Sequence, residues 1–241
     1  MSEQTGQVAV VTGAGSGVGR AVSIRLAQEG WRVALVGRRI ALLEETARLC
    51  GDAGAQALCC ETELADSAAI GRMARRVLDT WGTVHALVNC AGTNIAQRAL
   101  GVLKEEDWRL VLDVNVTAAF LCTRAFLPAM RAQKRGTIVN VISDAGLIAS
   151  AKAGPAYVAS KFALSGLTQS INCEERHNGI RACAIFPGDI NTPLLDKRPA
   201  PPPKEARVTM LQPEDLAQCV MLCLTLPDRA VVEQLLVRPR T

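Results

Sequence analysis

The chain has 241 residues, 49% of them hydrophobic and 21% charged, which suits a folded domain with a sizeable core and excludes a disordered chain. The net charge of +4 is small, and its pairs Arg38-Arg39, Arg75-Arg76 and Lys134-Arg135 stand apart without interleaved aromatics, which argues against nucleic-acid binding. Aromatics make up only 3%, so the core must be built from Ala, Val, Leu and Ile.

The polar opening Met1–Gln7 lacks the charged start and apolar stretch of a secretory leader, and no apolar run approaches the ~18 residues that span a bilayer. Apolar runs then alternate with helix-period stretches. Gln7–Thr12 is a β-branched strand closing in a glycine-rich turn, and Gly17–Gly30 a helix with Val18, Val22 and Leu26 on one face. Arg32–Val36 (strand), Ile40–Cys50 (helix), Ala55–Cys60 (strand), Ser67–Thr80 (helix) and Val84–Asn89 (strand) follow. Next come the long helix Trp108–Met130, the strand Gly136–Ile142 and the long helix Tyr157–Asn178. Strand Ile180–Phe186, helix Pro213–Thr225 and strand Val231–Val237 close the chain. Strands that are apolar throughout and separated by helices predict a parallel sheet buried on both faces. The expected architecture is α/β, a single Rossmann-type doubly wound domain over residues 1–241 with about seven strands. Asn191–Thr209, rich in proline, reads as a loop without helix or strand, placed as a lid past a strand's C-terminal end.

Nine cysteines form no disulfide framework, and with two histidines and no paired C-x-x-C they make no zinc site. Buried thiols in a reducing, cytoplasmic compartment are expected, with no metal.

Thr12-Gly13-Ala14-Gly15-Ser16-Gly17-Val18-Gly19 lies between a strand and a helix, the context in which glycines let backbone approach a pyrophosphate at a helix N-terminus. At the end of the second strand Gly37 stands where an NAD enzyme wants a carboxylate, and Arg38 and Arg39 follow. A guanidinium there can fork onto a 2′-phosphate. NADP(H) is therefore favoured, and NAD(H) stays open.

Tyr157 and Lys161 sit at i and i+4, sharing one helix face. A tyrosine is a poor base near neutrality unless a cation favours its phenolate, and Lys161 could supply one. Ser143 ends the preceding strand.

Thr12-Gly13-x-x-x-Gly17-x-Gly19, Asn89-Cys90-Ala91-Gly92, Asn115, Ser143, Tyr157-x-x-x-Lys161 and Pro187-Gly188-x-x-x-Thr192 occur in the order that resembles the short-chain dehydrogenase/reductase family, across nearly the whole chain. The resemblance implies hydride transfer between a nicotinamide and an alcohol or carbonyl substrate. It implies Tyr157 as general acid/base, Ser143 orienting the substrate oxygen, Lys161 on the nicotinamide ribose, and Asn115 holding a relay water through a backbone kink. Gly13, Ser16, Gly17, Val18, Gly19, Asn89, Ala91, Gly92, Pro187, Gly188, Ile190 and Thr192 are the implied cofactor contacts, with Arg38, Arg39, Glu63 and Leu64 toward the adenosine. Cys90 departs from the usual second Asn, and Glu63-Leu64 from the usual Asp-Val. The tail Glu233–Arg240 lacks the usual glycine pair and resembles a subgroup acting on small hydroxy acids.

The expected substrate wall is Asn94, Ala145, Ile148, Ala149, Ala153 and Asp189, with Lys152, Lys197 and Arg198 either catching a carboxylate or, as the favoured reading, solvated. The alternative function is a non-catalytic NADP(H)-binding sensor or regulator. An epimerase on the related extended fold would need a C-terminal domain for which the chain has no room. The resemblance further implies a homodimer or homotetramer through the two long helices, with no membrane or nucleic-acid partner. Phe120, Leu121, Phe126, Phe162, Leu164 and Leu167 are its apolar candidates.

Overall fold

A computed structural model describes residues 6–51 and 56–240. The residues Met1–Thr5 of the polar opening and Ala55, the expected start of the third strand, lie outside the described residues.

Seven parallel strands form one sheet in the order β3-β2-β1-β4-β5-β6-β7. They are β1 (Val8–Thr12), β2 (Arg32–Gly37), β3 (Ala57–Glu61), β4 (Ala86–Asn89), β5 (Gly136–Val141), β6 (Ile180–Pro187) and β7 (Gln234–Val237). Alternate side chains feed opposite faces, as the period of two requires. Val11, Leu35, Val88, Val139 and Ile185 pack on α1 (Gly17–Gln28), α2 (Ile40–Gly51) and α8 (Pro213–Thr225). Val10, Ala34, Leu87, Ile138 and Ala182 pack beneath α3 (Ser67–Trp81), α5 (Ala118–Ala132) and α6 (Pro155–Glu175). The central strands are therefore apolar on both sides, the pattern read from the sequence.

The order reverses between β1 and β4, which opens a crevice at their C-terminal ends. The long helix expected over Trp108–Met130 is α4 (Glu105–Leu112), a π-helical turn at Asp113–Thr117, and α5. By length and composition the continuous stretch Glu105–Ala132 could cross a bilayer. In this fold it layers against the sheet, with Cys122, Phe126 and Met130 fully buried.

The segment expected to be free of helix is not. It carries a 3-10 turn, Pro193–Lys197, and a short helix, α7 (Lys204–Arg207). Pro193 opens the first and Pro203 caps the second. Proline breaks a helix interior, but at the first turn its missing N–H is not needed.

Candidate active site

The glycine turn joins β1 to α1 with no slack. Gly13 holds φ +70°, and a Cβ on it would lie 3.0 Å from the Ala91 backbone; one on Gly19 would strike the Gly13 carbonyl. Arg20 pins the turn, its Nη2 donating to the Gly15 carbonyl and to Glu45 at 2.7 Å each. Ser16 caps α1 without a side-chain hydrogen bond, and the first turn holds no acid. The helix end thus presents free N–H groups and positive dipole to an anion.

One cavity of about 280 Å³ joins this turn to the expected chemistry. Gly13, Ser16, Gly17, Val18, Gly19, Ala91 and Gly92 line it. Ser143, Tyr157 and Lys161 line it too, as do Pro187, Gly188, Ile190 and Thr192. Asn94, Ala145, Ala153 and Asp189 join them. Ile148 and Ala149 do not: both are exposed, Ile148 at 66%, because the turn after Ser143 faces them outward.

Pro155 starts α6 at a position where its fixed φ suits the helix, and Gly154 caps it at φ +80°. This sets Tyr157 and Lys161 on the first turns. Lys161 is 3% exposed, its Nζ 5.3 Å from the centre of the Tyr157 ring and 3.5 Å from the Val141 carbonyl. Burial brings the ammonium down to about 8. Tyr157 keeps some surface on the cavity, yet the protein crowded around it pushes its phenol up to about 12. The Ser143 hydroxyl pulls it down and Asp144 pushes it up; the cations lowering it are Arg198 and Arg98. Ser143 donates to Asp144 at 3.2 Å and accepts from the Ala145 N–H at 3.2 Å.

Asn115 lies behind the cavity in the π-helical turn, the local kink expected there. Its Oδ1 accepts from the Thr93 N–H at 2.7 Å, and its Nδ2 donates to the Thr93 carbonyl and to Ser160 Oγ, each at 3.0 Å. Such π turns mark functional positions in helices. Asn89 is buried too, donating to Asn140 at 2.8 Å rather than lining the cavity.

Four further expected residues stand apart. Arg38 and Arg39 are exposed just past β2, with Glu63 and Leu64 just past β3, and none lines the cavity. Arg38 lies 3.7 Å from Glu63, both exposed, and Leu64 belongs to the core. No carboxylate occupies the end of β2 itself, where Gly37 stands. The glycine cradle, the uncapped helix end and the two arginines fit a phosphorylated dinucleotide.

The reading of the loop cations as solvated is corrected for Arg198 alone, whose side chain is 17% exposed; Lys152 and Lys197 stay exposed. Arg198 and Lys152 both bind Asp189, at 2.5 and 2.7 Å, and Lys197 donates to Thr93 Oγ1 at 3.0 Å. Arg98, absent from the expected site, also lines the cavity and is 8% exposed. Its Nη2 donates to the Lys197 carbonyl at 2.6 Å, a partner 99 residues away that no local pattern announces. All nine cysteines are free; Cys60, Cys122, Cys183 and Cys223 are buried as expected, Cys59 only partly. Among the described residues no cluster suits a metal.

Residues 7–202 match the family model described as short chain dehydrogenase. A glycine betaine reductase of Emericella nidulans is 32% identical over 243 residues, covering 98% of this chain, although the chain spans only 19% of that protein's length. An uncharacterized oxidoreductase of Staphylococcus aureus is 29% identical over 99% of this chain and 100% of its own. The crystal structure of a metagenomic short-chain oxidoreductase in complex with NADP superposes over the full length of both chains, with a TM-score of 0.87 at 36% identity. The sheet order, the glycine turn and the Tyr157-x-x-x-Lys161 helix are thus those of a chain that belongs to the short chain dehydrogenases, a family of oxidoreductases.

Proposed function

We propose that the protein is an NADP(H)-dependent oxidoreductase interconverting an alcohol and the matching ketone or aldehyde, a secondary alcohol giving the ketone. The observation that carries this reading is that Ser143, Tyr157 and Lys161 face the same cavity as the Gly13–Gly19 cradle. NADP(H), when bound there, supplies or takes up the hydride. Gly13, Ser16, Gly17, Val18 and Gly19 would hold its pyrophosphate; Ala91, Gly92, Pro187, Gly188, Ile190 and Thr192 would flank the nicotinamide half. Arg38 and Arg39 would meet the 2′-phosphate, with Glu63 and Leu64 beside the adenosine. The NADP in the metagenomic oxidoreductase supports that choice over NAD(H).

Tyr157 Oη gives its proton to the substrate oxygen in reduction and takes one in oxidation. A phenol held near 12 suits the donor role at neutral pH. Ser143 Oγ orients that oxygen. Lys161, once it meets the ribose, helps restore a phenolate for the reverse direction. Asn115 keeps the wall behind them in register and offers the kink for a relay water. The segment 191–209 serves as the substrate lid of a single catalytic unit. The nine free cysteines fit a cytoplasmic setting. No observation favours the sensor reading.

Fluorescence titration of NADPH against NADH, on the wild type and Arg38→Ala, tests the reading. Tighter NADPH binding that the variant loses, together with NADPH-dependent reduction of ketones, supports it. Equal binding of the two cofactors would overturn the role given to Arg38.

A further inference from the structure

The substrate end of the cavity holds more positive charge than its carboxylates balance. Arg98, Lys152 and Arg198 all line it. Asp189 is shared by Lys152 and Arg198. The other carboxylate there, Asp144, faces Arg238 at 3.9 Å. Arg98 makes no ion pair among the described residues. Two backbone carbonyls, of Lys152 at 3.5 Å and Lys197 at 2.6 Å, are its only acceptors, and its buried Nε has none. Arginine is almost never buried this far unless paired.

Arg98 is also fixed in place. Its carbonyl and stem press on Gly154, which caps the helix bearing Tyr157; a Cβ there would lie 2.7 Å from that carbonyl. Arg98 and Arg198 line the same cavity as Tyr157, and both lower its phenol pKa. A buried cation without a counterion, in the cavity that holds the proton-transfer group, calls for an anion that arrives with the substrate.

We propose that the substrate carries a carboxylate bound by Arg98 and Arg198, making it a small hydroxy acid or the matching oxo acid. This rests on the oxidoreductase reading for its alcohol or carbonyl, but the anion site stands on Arg98 and Arg198 alone. The guanidinium forks suit a planar carboxylate, and Asp189 holds Arg198 toward the cavity until the anion comes. Phosphate shares the charge and is the competing chemistry.

The test is calorimetric titration, with and without saturating NADP+, of 2- and 3-hydroxybutanoate, of their primary amides, and of methyl phosphate. Turnover of the same compounds and of neutral ketones is followed in parallel. A hydroxy acid is expected to bind at least about 10-fold tighter than its amide. Arg98→Gln and Arg198→Gln are each expected to abolish that preference, leaving amide and NADPH binding within about twofold. A merely structural Arg98 would instead weaken acid and amide alike, and Arg198→Gln spares the bonds that Arg98 makes to the Lys152 and Lys197 carbonyls. Amides binding as well as acids, methyl phosphate outbinding both acids, or variants that keep the preference would each overturn the proposal. Acid binding without turnover of any compound would sink the oxidoreductase reading and leave the anion site. Ketone reduction without acid binding would do the reverse.

Discussion

Asn115 and Ser160 meet inside the protein, Nδ2 donating to Oγ at 3.0 Å, and Ser160 passes the bond on to the Tyr157 carbonyl at 2.7 Å. Asn115 also grips both backbone groups of Thr93, its Oδ1 accepting from the N–H and its Nδ2 donating to the carbonyl. One side chain thus ties the wall after β4 to the helix that presents Tyr157. Asn115→Ala leaves buried partners unsatisfied and should cost about 3 kcal/mol of stability, against about 1 kcal/mol for Ser160→Ala. Denaturant unfolding of the two variants reads the difference; equal losses would refute this tie.

Tyr157→Phe removes only the hydroxyl. Turnover should fall by about 10²–10⁴-fold while NADPH binding stays within about twofold. Steady-state assays beside a fluorescence titration check both, and a variant retaining most of its activity would transfer the proton step to another group.

Lys161 makes stability depend on pH in a defined direction. Its pKa is about 8 in the fold, against an ordinary 10.5, so below pH 8 the folded protein bears the whole cost of a buried ammonium. Between 8 and 10.5 the unfolded chain binds more protons, and stability rises with pH. Above 10 the trend reverses, because Tyr157 keeps its proton up to about 12 in the fold. Lys161→Met should therefore stabilise the cofactor-free protein by about 3 kcal/mol at pH 7, a gain that shrinks from pH 8 upward. Unfolding curves from pH 6.5 to 10 test the slope.

Glu63 stands 3.7 Å from Arg38 and would compete with a 2′-phosphate for it. Both side chains are exposed, so the pair is worth under ~1 kcal/mol. Glu63→Gln should tighten NADPH binding by no more than about fivefold and leave NADH unchanged. Equal gains for both cofactors would mean that Arg38 does not read the phosphate.

Phe120 and Phe162 remain 42% and 46% exposed on α5 and α6, whereas Phe126 and Leu164 are spent on the subunit core. On the proposed reading a second copy covers the exposed pair, giving a dimer or tetramer. Sedimentation at micromolar concentration should show it, and Phe120→Glu with Phe162→Glu should dissociate it. A monomeric wild type would end the proposal.

The glycine turn, the Tyr157–Lys161 spacing and the alternation of parallel strands with helices were legible because each follows from local rules: a turn between strand and helix, a four-residue helical step, and alternating apolar runs. Arg98 was not. It lies in an irregular stretch without periodicity, and its burial comes from Lys197 and Lys152, joined only by the fold. The helical turns at Pro193 and Pro203 were missed for a different reason: proline was read as a breaker where its position made it a starter. Ile148 followed Ser143 closely in sequence, but a 3-10 turn at Asp144–Gly146 sends it outward.

Gly37 and the two arginines after it lie at the end of β2, outside the cavity lining, and a Cβ added at Gly37 would lie 3.3 Å from Leu43 Cδ2. Among the described residues none of the three shares a hydrogen bond with Asn115, Ser143 or Tyr157. A lineage carrying this fold could therefore move from one cellular pool of reducing equivalents to the other through a few substitutions at the end of β2. The buried proton-handling centre would pass through that change untouched.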